Sequence, residues 1–180
     1  MSKNDGKKFE ETLKKNSLEQ NTFFYRIKDV PQMMLKQGAR VSQNYYDSFA
    51  FRNGHLFALE LKSTKQKSIS FSPKIIKPHQ IKYLKEASDY DGLIAGFLLQ
   101  FRENDNKTFF VEINDFIKYK NTAEGKLEST YINKVNKSSI PIAICEEIGT
   151  ELINIKLDVN YRYYVKNLLD ELIKKYGKGK

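Results

Sequence analysis

The Asn53-Gly54 pair is the feature that most restricts how this chain can fold. It separates two strand-like runs, DSFAFR and HLFALELK, and such a pair predicts a β-hairpin with a two-residue turn in which both residues take positive φ. The two residues that flank the turn then face each other, and the numbers of all facing residues sum to 107. Asp47 is therefore predicted to lie opposite Glu60, with Lys62 on the same face because side chains alternate along a strand.

Facing carboxylates at Asp47 and Glu60 predict a cation between them. Like charges opposite each other on a sheet repel, and the apolar residues around them would strengthen this repulsion by excluding water. Mg²⁺ binds through one or two carboxylates together with phosphate oxygens, and Lys62 would add a compact positive charge close by. The pattern favours metal-assisted phosphodiester chemistry, although two acids at an exposed strand edge would also explain it.

The other patterns along the chain alternate between helix and strand. They predict, in order, a helix containing Phe9 and Leu13, a strand over 21–27, the hairpin, a helix over 78–88, strands over 93–101 and 108–113, a short helix after Asn114, a strand over 147–157 and a final helix from Tyr161 to Ile173. The irregular segment 28–46 predicts a protruding loop or short stalk. This order predicts one α/β domain over 1–180, with a mixed central β-sheet flanked by helices.

Composition restricts the partner and the compartment. The net charge of +9 indicates an anionic partner, either nucleic acid or acidic lipid. The chain has no apolar run near the length of a membrane span and no signal-peptide core at its beginning, so we expect a cytoplasmic protein without a membrane partner. Cys145 is the single cysteine and is expected to be a buried apolar group.

The carboxylates and the lysine resemble a known signature. Asp47 followed by Glu60-Leu61-Lys62 is similar to the Asp…Glu-x-Lys motif of the PD-(D/E)XK nucleases. The segment 6–119 resembles, more specifically, the RecU-type Holliday junction resolvases. This second likeness rests on Gly6-x-x-Phe9-Glu10, the thirteen-residue step from Asp47 to Glu60, Ser70-Phe71, His79-Gln80-Ile81 and Asp91-Gly92.

The resemblance implies a restriction-endonuclease-like core and a homodimeric endonuclease that depends on Mg²⁺ or Mn²⁺. Such an enzyme nicks paired strands of a four-way DNA junction symmetrically. Transferred to this sequence, Asp47 and Glu60 would bind the metal, with the Leu61 carbonyl as a third ligand, and Lys62 would be the catalytic lysine.

Two further positions have two interpretations each. Glu10 is either an accessory acid for a second metal or its water shell, or a simple first-turn carboxylate of a helix. Gln80 either supports the site from the helix or is a solvated polar residue. His55 and His79 are expected to be structural. The chain departs from the family because only five residues precede Gly6 and because the segment 28–46 is short for a stalk.

Cations and aromatic residues near the predicted site are candidates for DNA contact, because cations neutralise phosphates and aromatic rings stack on exposed bases. They are Lys28, Lys36, Arg40, Tyr45, Tyr46, Lys65, Lys67 and Lys74. We expect branched DNA as the substrate, with a recombinase or a branch-migration motor as further partners. A restriction- or repair-type endonuclease on duplex DNA and a non-catalytic DNA-binding module are the alternatives.

Overall fold

A computed structural model describes residues 3–28 and 44–177 of the chain. The helices are α1 (Lys3–Glu19), α2 (Pro78–Ser88), α3 (Ile113–Ala123), α4 (Ile142–Ile148) and α5 (Val165–Tyr176). The strands are β1 (Phe23–Arg26), β2 (Ser48–Arg52), β3 (His55–Thr64), β4 (Ser68–Ser70), β5 (Leu93–Phe101), β6 (Lys107–Glu112), β7 (Ser139–Pro141), β8 (Thr150–Glu151), β9 (Asn154–Lys156) and β10 (Tyr161–Tyr163).

Six strands form a mixed central sheet in the order β1-β2-β3-β5-β6-β8. The β3–β5 pair is parallel and the other neighbours in this sheet are antiparallel. The connection from β3 to β5 contains α2, as a parallel crossover requires. The near-continuous apolar run LIAGFLLQF forms β5 in the middle of the sheet, where both of its faces are covered.

Helices cover the two faces of the sheet, and each face has its own apolar core. On one face, which we call the α2 side, α2 and α3 pack on residues such as Ala58, Phe97 and Leu99. On the other face, the α1 side, α1 and α5 pack on residues such as Phe57 and Leu59. Consecutive residues of β3 therefore point to different cores, which separates Glu60 and Lys62 from Leu59 and Leu61. The predicted mixed α/β sheet flanked by helices is confirmed.

The predicted limits of two elements near the C-terminus were wrong. The strand over 147–157 is two short strands, β8 and β9, that belong to different sheets, and α4 occupies Ile142–Ile148 before them. The final helix begins at Val165 and not at Tyr161, because Tyr161–Tyr163 pairs with Asn154–Lys156 as a second strand. Both apolar runs were too short for periodicity to distinguish helix from strand.

Most of the predicted stalk lies outside the described residues, and so do Lys36 and Arg40. Within the described residues, no helix combines the length and the apolar character that crossing a bilayer requires.

Candidate active site

The β2–β3 hairpin has the register predicted from its turn. Asn53 and Gly54 have φ values of 47° and 79°, and Ser48 lies opposite Leu59. Asp47 lies just beyond the last paired residue, and its N–H donates to the carbonyl of Leu59, the residue that faces Ser48, at 3.1 Å. Its own carbonyl accepts from the N–H of Ile27 at 2.9 Å. The backbone of Asp47 is thus held on both sides at the end of the hairpin.

The Asp47 carboxylate turns toward β3. Its Oδ2 accepts a hydrogen bond from the N–H of Leu61 at 2.9 Å. The N–H and C=O of one strand residue point to the same neighbour, so the Leu61 carbonyl is also directed toward the β2 side of β3. The carboxylate and the carbonyl predicted as ligands therefore face the same edge.

Glu60 is buried at the centre of the site, with 2% of its surface exposed. Its Oε1 accepts hydrogen bonds from the ammonium of Lys62, at 2.7 Å, and from the side-chain amide of Gln80. The other end of that amide, Oε1 of Gln80, accepts from the N–H of Lys77 at 3.0 Å, just before α2. The first turn of α2 therefore fixes Gln80, and Gln80 fixes one oxygen of Glu60.

The electrostatics of the pair suit a cation. Burial, followed by the negative charge of Asp47, raises the pKa of Glu60 from 4.5 to about 8, and the charge of Lys62 opposes that rise only in part. A hydrogen bond between the carboxyl groups of Asp47 and Glu60 also raises this pKa, so the two groups are close together. A divalent cation would remove the repulsion and favour the ionised form.

The donor set suits a hard metal ion. Asp47 and Glu60 provide carboxylate oxygens, which is the chemistry that Mg²⁺ and Mn²⁺ prefer. Within residues 3–28 and 44–177, no group of three or more His, Cys, Asp or Glu side chains has the geometry to hold a metal. A pair of acids is nevertheless sufficient for Mg²⁺, which completes its shell with water and substrate phosphate.

Glu10 lies on the other face of the sheet. Its carboxylate forms an ion pair with Arg26 of β1, and Arg26 lies opposite Ser48. The helix that carries Glu10 packs into the α1-side core, whereas Gln80 reaches Glu60 from the α2 side. The structure therefore brings Asp47, Glu60, Lys62 and Gln80 together, and Glu10 pairs with Arg26 of β1.

His79 lies in the first turn of α2, and its ring centroid is 6.2 Å from that of Tyr83, so its structural role stays a prediction. Limited burial, followed by the positive charges of Lys77 and Lys62, lowers the pKa of its imidazole. In the sequence, His79 directly precedes Gln80.

A groove of about 500 Å³ opens beside Lys62, and Arg102 is one of the residues that line it. Sequence patterns did not single out Arg102. The available signal was its position directly after the buried strand β5, which runs parallel to β3 and ends at the same edge.

Comparisons with known proteins identify the family. The solved structure of Hjc from Archaeoglobus fulgidus, described as a Holliday junction resolvase from an archaeal hyperthermophile, covers 81% of this chain and 95% of its own at 18% identity and a TM-score of 0.49. The SPbeta prophage-derived protein YotM of Bacillus subtilis strain 168 is 63% identical over 172 residues, which are 96% of this chain and 88% of YotM. Residues 25–156 match the family described as Recombination protein U, RecU. The chain belongs to the RecU family.

RecU membership confirms the predicted Holliday junction resolvase, a structure-selective nuclease of recombination. The matched segment 25–156 contains Asp47, Glu60, Lys62 and Gln80, and Glu10 precedes it. The residues that meet at the site are thus within the part of the chain that defines the family.

The predicted DNA-contacting residues have different surroundings in this RecU protein. Tyr45 stacks on Tyr83 of α2 with ring centroids 3.9 Å apart. The hydroxyl of Tyr46 donates to the carbonyl of Tyr83 at 3.1 Å. Both tyrosines therefore attach the chain before Asp47 to α2. The lysines among the described candidates are exposed: Lys28, Lys65, Lys67 and Lys74.

Proposed function

We propose that this RecU-family protein hydrolyses phosphodiester bonds at four-way DNA junctions with a divalent metal held by Asp47 and Glu60. The observation that carries the proposal is the close approach of these two carboxyl groups, one of them buried, beside the ammonium of Lys62. The Leu61 carbonyl is the proposed third ligand because its strand directs it toward Asp47. A bound Mg²⁺ or Mn²⁺ would polarise the phosphate and lower the pKa of an attacking water.

The residues around the two carboxylates have different roles in this proposal. The N–H of Leu61 holds the Asp47 carboxylate in position, and Gln80 holds one oxygen of Glu60. Lys62 places a positive charge next to the carboxylate pair, where it stabilises the negative charge that develops on the phosphate oxygens during attack. Only 13% of the Lys62 side chain is exposed, so water screens this charge weakly.

We propose that the protein acts as a homodimer in the cytoplasm. A four-way junction has paired strands of equal geometry, and two cuts in symmetry require two sites related by a two-fold axis. One site in each subunit satisfies that requirement. A recombinase or a branch-migration motor as a further partner stays a prediction, and so does a role for Glu10 in the water shell of a second metal.

The proposal is tested by nicking of a synthetic four-way junction in Mg²⁺. The wild-type protein is expected to nick two opposed strands, whereas Asp47→Asn is expected to lose at least about 100-fold in rate, the order expected when one preorganised electrostatic group is removed. Asp158→Asn is the matched control, because Asp158 is an exposed acid between β9 and β10. Equal rates for wild type and Asp47→Asn would reject the assignment of the site.

The same assay separates the alternatives. A duplex-directed endonuclease would cleave linear DNA in preference to the junction when the two compete. A non-catalytic DNA-binding module would bind without metal and would be insensitive to substitutions at Asp47, Glu60 and Lys62.

A further inference from the structure

The groove beside Lys62 lies at the edge where the parallel strands β3 and β5 end. Its volume is about 500 Å³, which is within the range of about 300–1,000 Å³ for sites that enclose small organic ligands. Three cations and two hydroxyl groups are among the residues that line it: Lys62, Lys65, Arg102, Ser68 and Ser70. Lys62 also contacts Glu60, so the groove is continuous with the candidate active site.

The charged side chains that line the groove are cations. None of the described residues that line it is acidic. Lys65 lies 3.6 Å from a carboxylate oxygen of Glu103 outside the groove, but both side chains are at least 60% exposed. Ion pairs of that kind contribute little, so the field of Lys65 stays available to an anion. A guanidinium, two hydroxyls and an ammonium together suit a phosphate group.

Arg102 is shared by the groove and a second cavity. The second cavity has a volume of about 230 Å³, and its other walls include Lys8 of α1 and Tyr161 of β10. A site for a free nucleotide would end at the first cavity. Two cavities that share Arg102 and carry Lys62 and Lys65 in one and Lys8 in the other suit a chain of phosphates.

We infer that this groove binds the DNA backbone next to the cleaved phosphate and that Arg102 is the main residue holding it there. The inference rests on the proposed function because it takes the cleaved bond to lie at Asp47 and Glu60. The phosphate that follows the cleaved one along the strand then lies in the groove beyond Lys62. Arg102 positions the strand and does not contact the reacting atoms.

The test measures junction binding as a function of salt. Binding of a fluorescent four-way junction is measured without divalent metal between 50 and 200 mM KCl. Two full-length variants are compared, Asp47→Asn and the double variant Asp47→Asn with Arg102→Gln. Loss of one phosphate contact makes the negative slope of log Kobs against log salt shallower by about 0.9. It also weakens binding on the order of tenfold at 50 mM. The matched control is Lys174→Gln. Lys174 is an exposed cation on α5, a helix that an Arg52–Asp170 ion pair joins to the turn end of the hairpin, away from the groove.

Each outcome decides the matter. A shallower salt dependence for Arg102→Gln than for Lys174→Gln supports the inference, and equal slopes overturn it. If circular dichroism shows that Arg102→Gln does not fold, Lys65→Gln decides in its place, since a side chain that is 60% exposed can be changed without loss of packing. Failure of the wild-type protein to nick any junction in Mg²⁺ would instead reject the proposed function, whatever the salt slopes are.

Discussion

Replacing Glu60 by Gln is predicted to make the metal-free protein more resistant to alkaline pH. The pKa of Glu60 is about 8 in the folded protein against an ordinary value of 4.5, so the folded state keeps a proton that the unfolded state releases. The stability that this proton provides is complete below pH 4.5 and is lost as the pH rises to about 8. Each pH unit in that interval changes the free energy of unfolding by about 1.4 kcal/mol, up to about 5 kcal/mol in total.

Urea unfolding in EDTA at pH 5, 7 and 9 measures this effect. The free energy of unfolding of the wild type, relative to Glu60→Gln, should fall by several kcal/mol between pH 5 and pH 9. Glu128→Gln, a change at an exposed acid, should leave the wild-type profile unchanged. Mg²⁺ should stabilise the wild type more at pH 9 than at pH 6, because the metal binds the ionised carboxylate. Parallel profiles for wild type and Glu60→Gln would refute the reasoning.

Three further substitutions test two positions beside Glu60 and one in the central strand β5. Lys62→Gln should lower the rate of junction nicking by about 100-fold or more while Mn²⁺ binding persists, since the lysine stabilises developing charge and is not a ligand; an unchanged rate would contradict this role. Gln80→Leu should lower the rate by about 10- to 100-fold, as for other groups that orient metal ligands, and circular dichroism should show an intact fold. Gly96→Ala should lower the free energy of unfolding in urea by about 1–3 kcal/mol, because the added Cβ would collide with the carbonyl of Val111 and lie 2.7 Å from the ring of Phe110.

The hairpin and its acids could be predicted because they depend on local rules. The Asn53-Gly54 turn fixes the register of β2 and β3, and the register brings Asp47 to Glu60. The apolar run of β5 likewise identifies a central strand before any contact is known. A turn type and a period of two residues are properties of the chain alone.

The surroundings of the site depended on tertiary contacts that no periodicity reveals. Sequence patterns allowed Gln80 to be solvated or supporting, and only the docking of α2 against β3 brings its amide to Glu60. Glu10 pairs with Arg26, which is sixteen residues along the chain on another element. Tyr45 stacks on Tyr83, a packing that depends on where α2 lies, and its contact with DNA stays a prediction.

The helix α4 could not be predicted for a related reason. The run PIAICEEI is apolar enough for either a strand or a helix. Its assignment depends on Ile144 and Cys145, which are buried in the α2-side core.

The most direct test of the account is a crystal structure of the protein grown with Mn²⁺, with the anomalous signal of the metal measured. The account predicts a strong peak bridged by the carboxylates of Asp47 and Glu60, near the carbonyl of Leu61, with the ammonium of Lys62 close to it but outside the coordination shell. A peak elsewhere on the chain, or the two acids pointing away from each other with no metal between them, would contradict it.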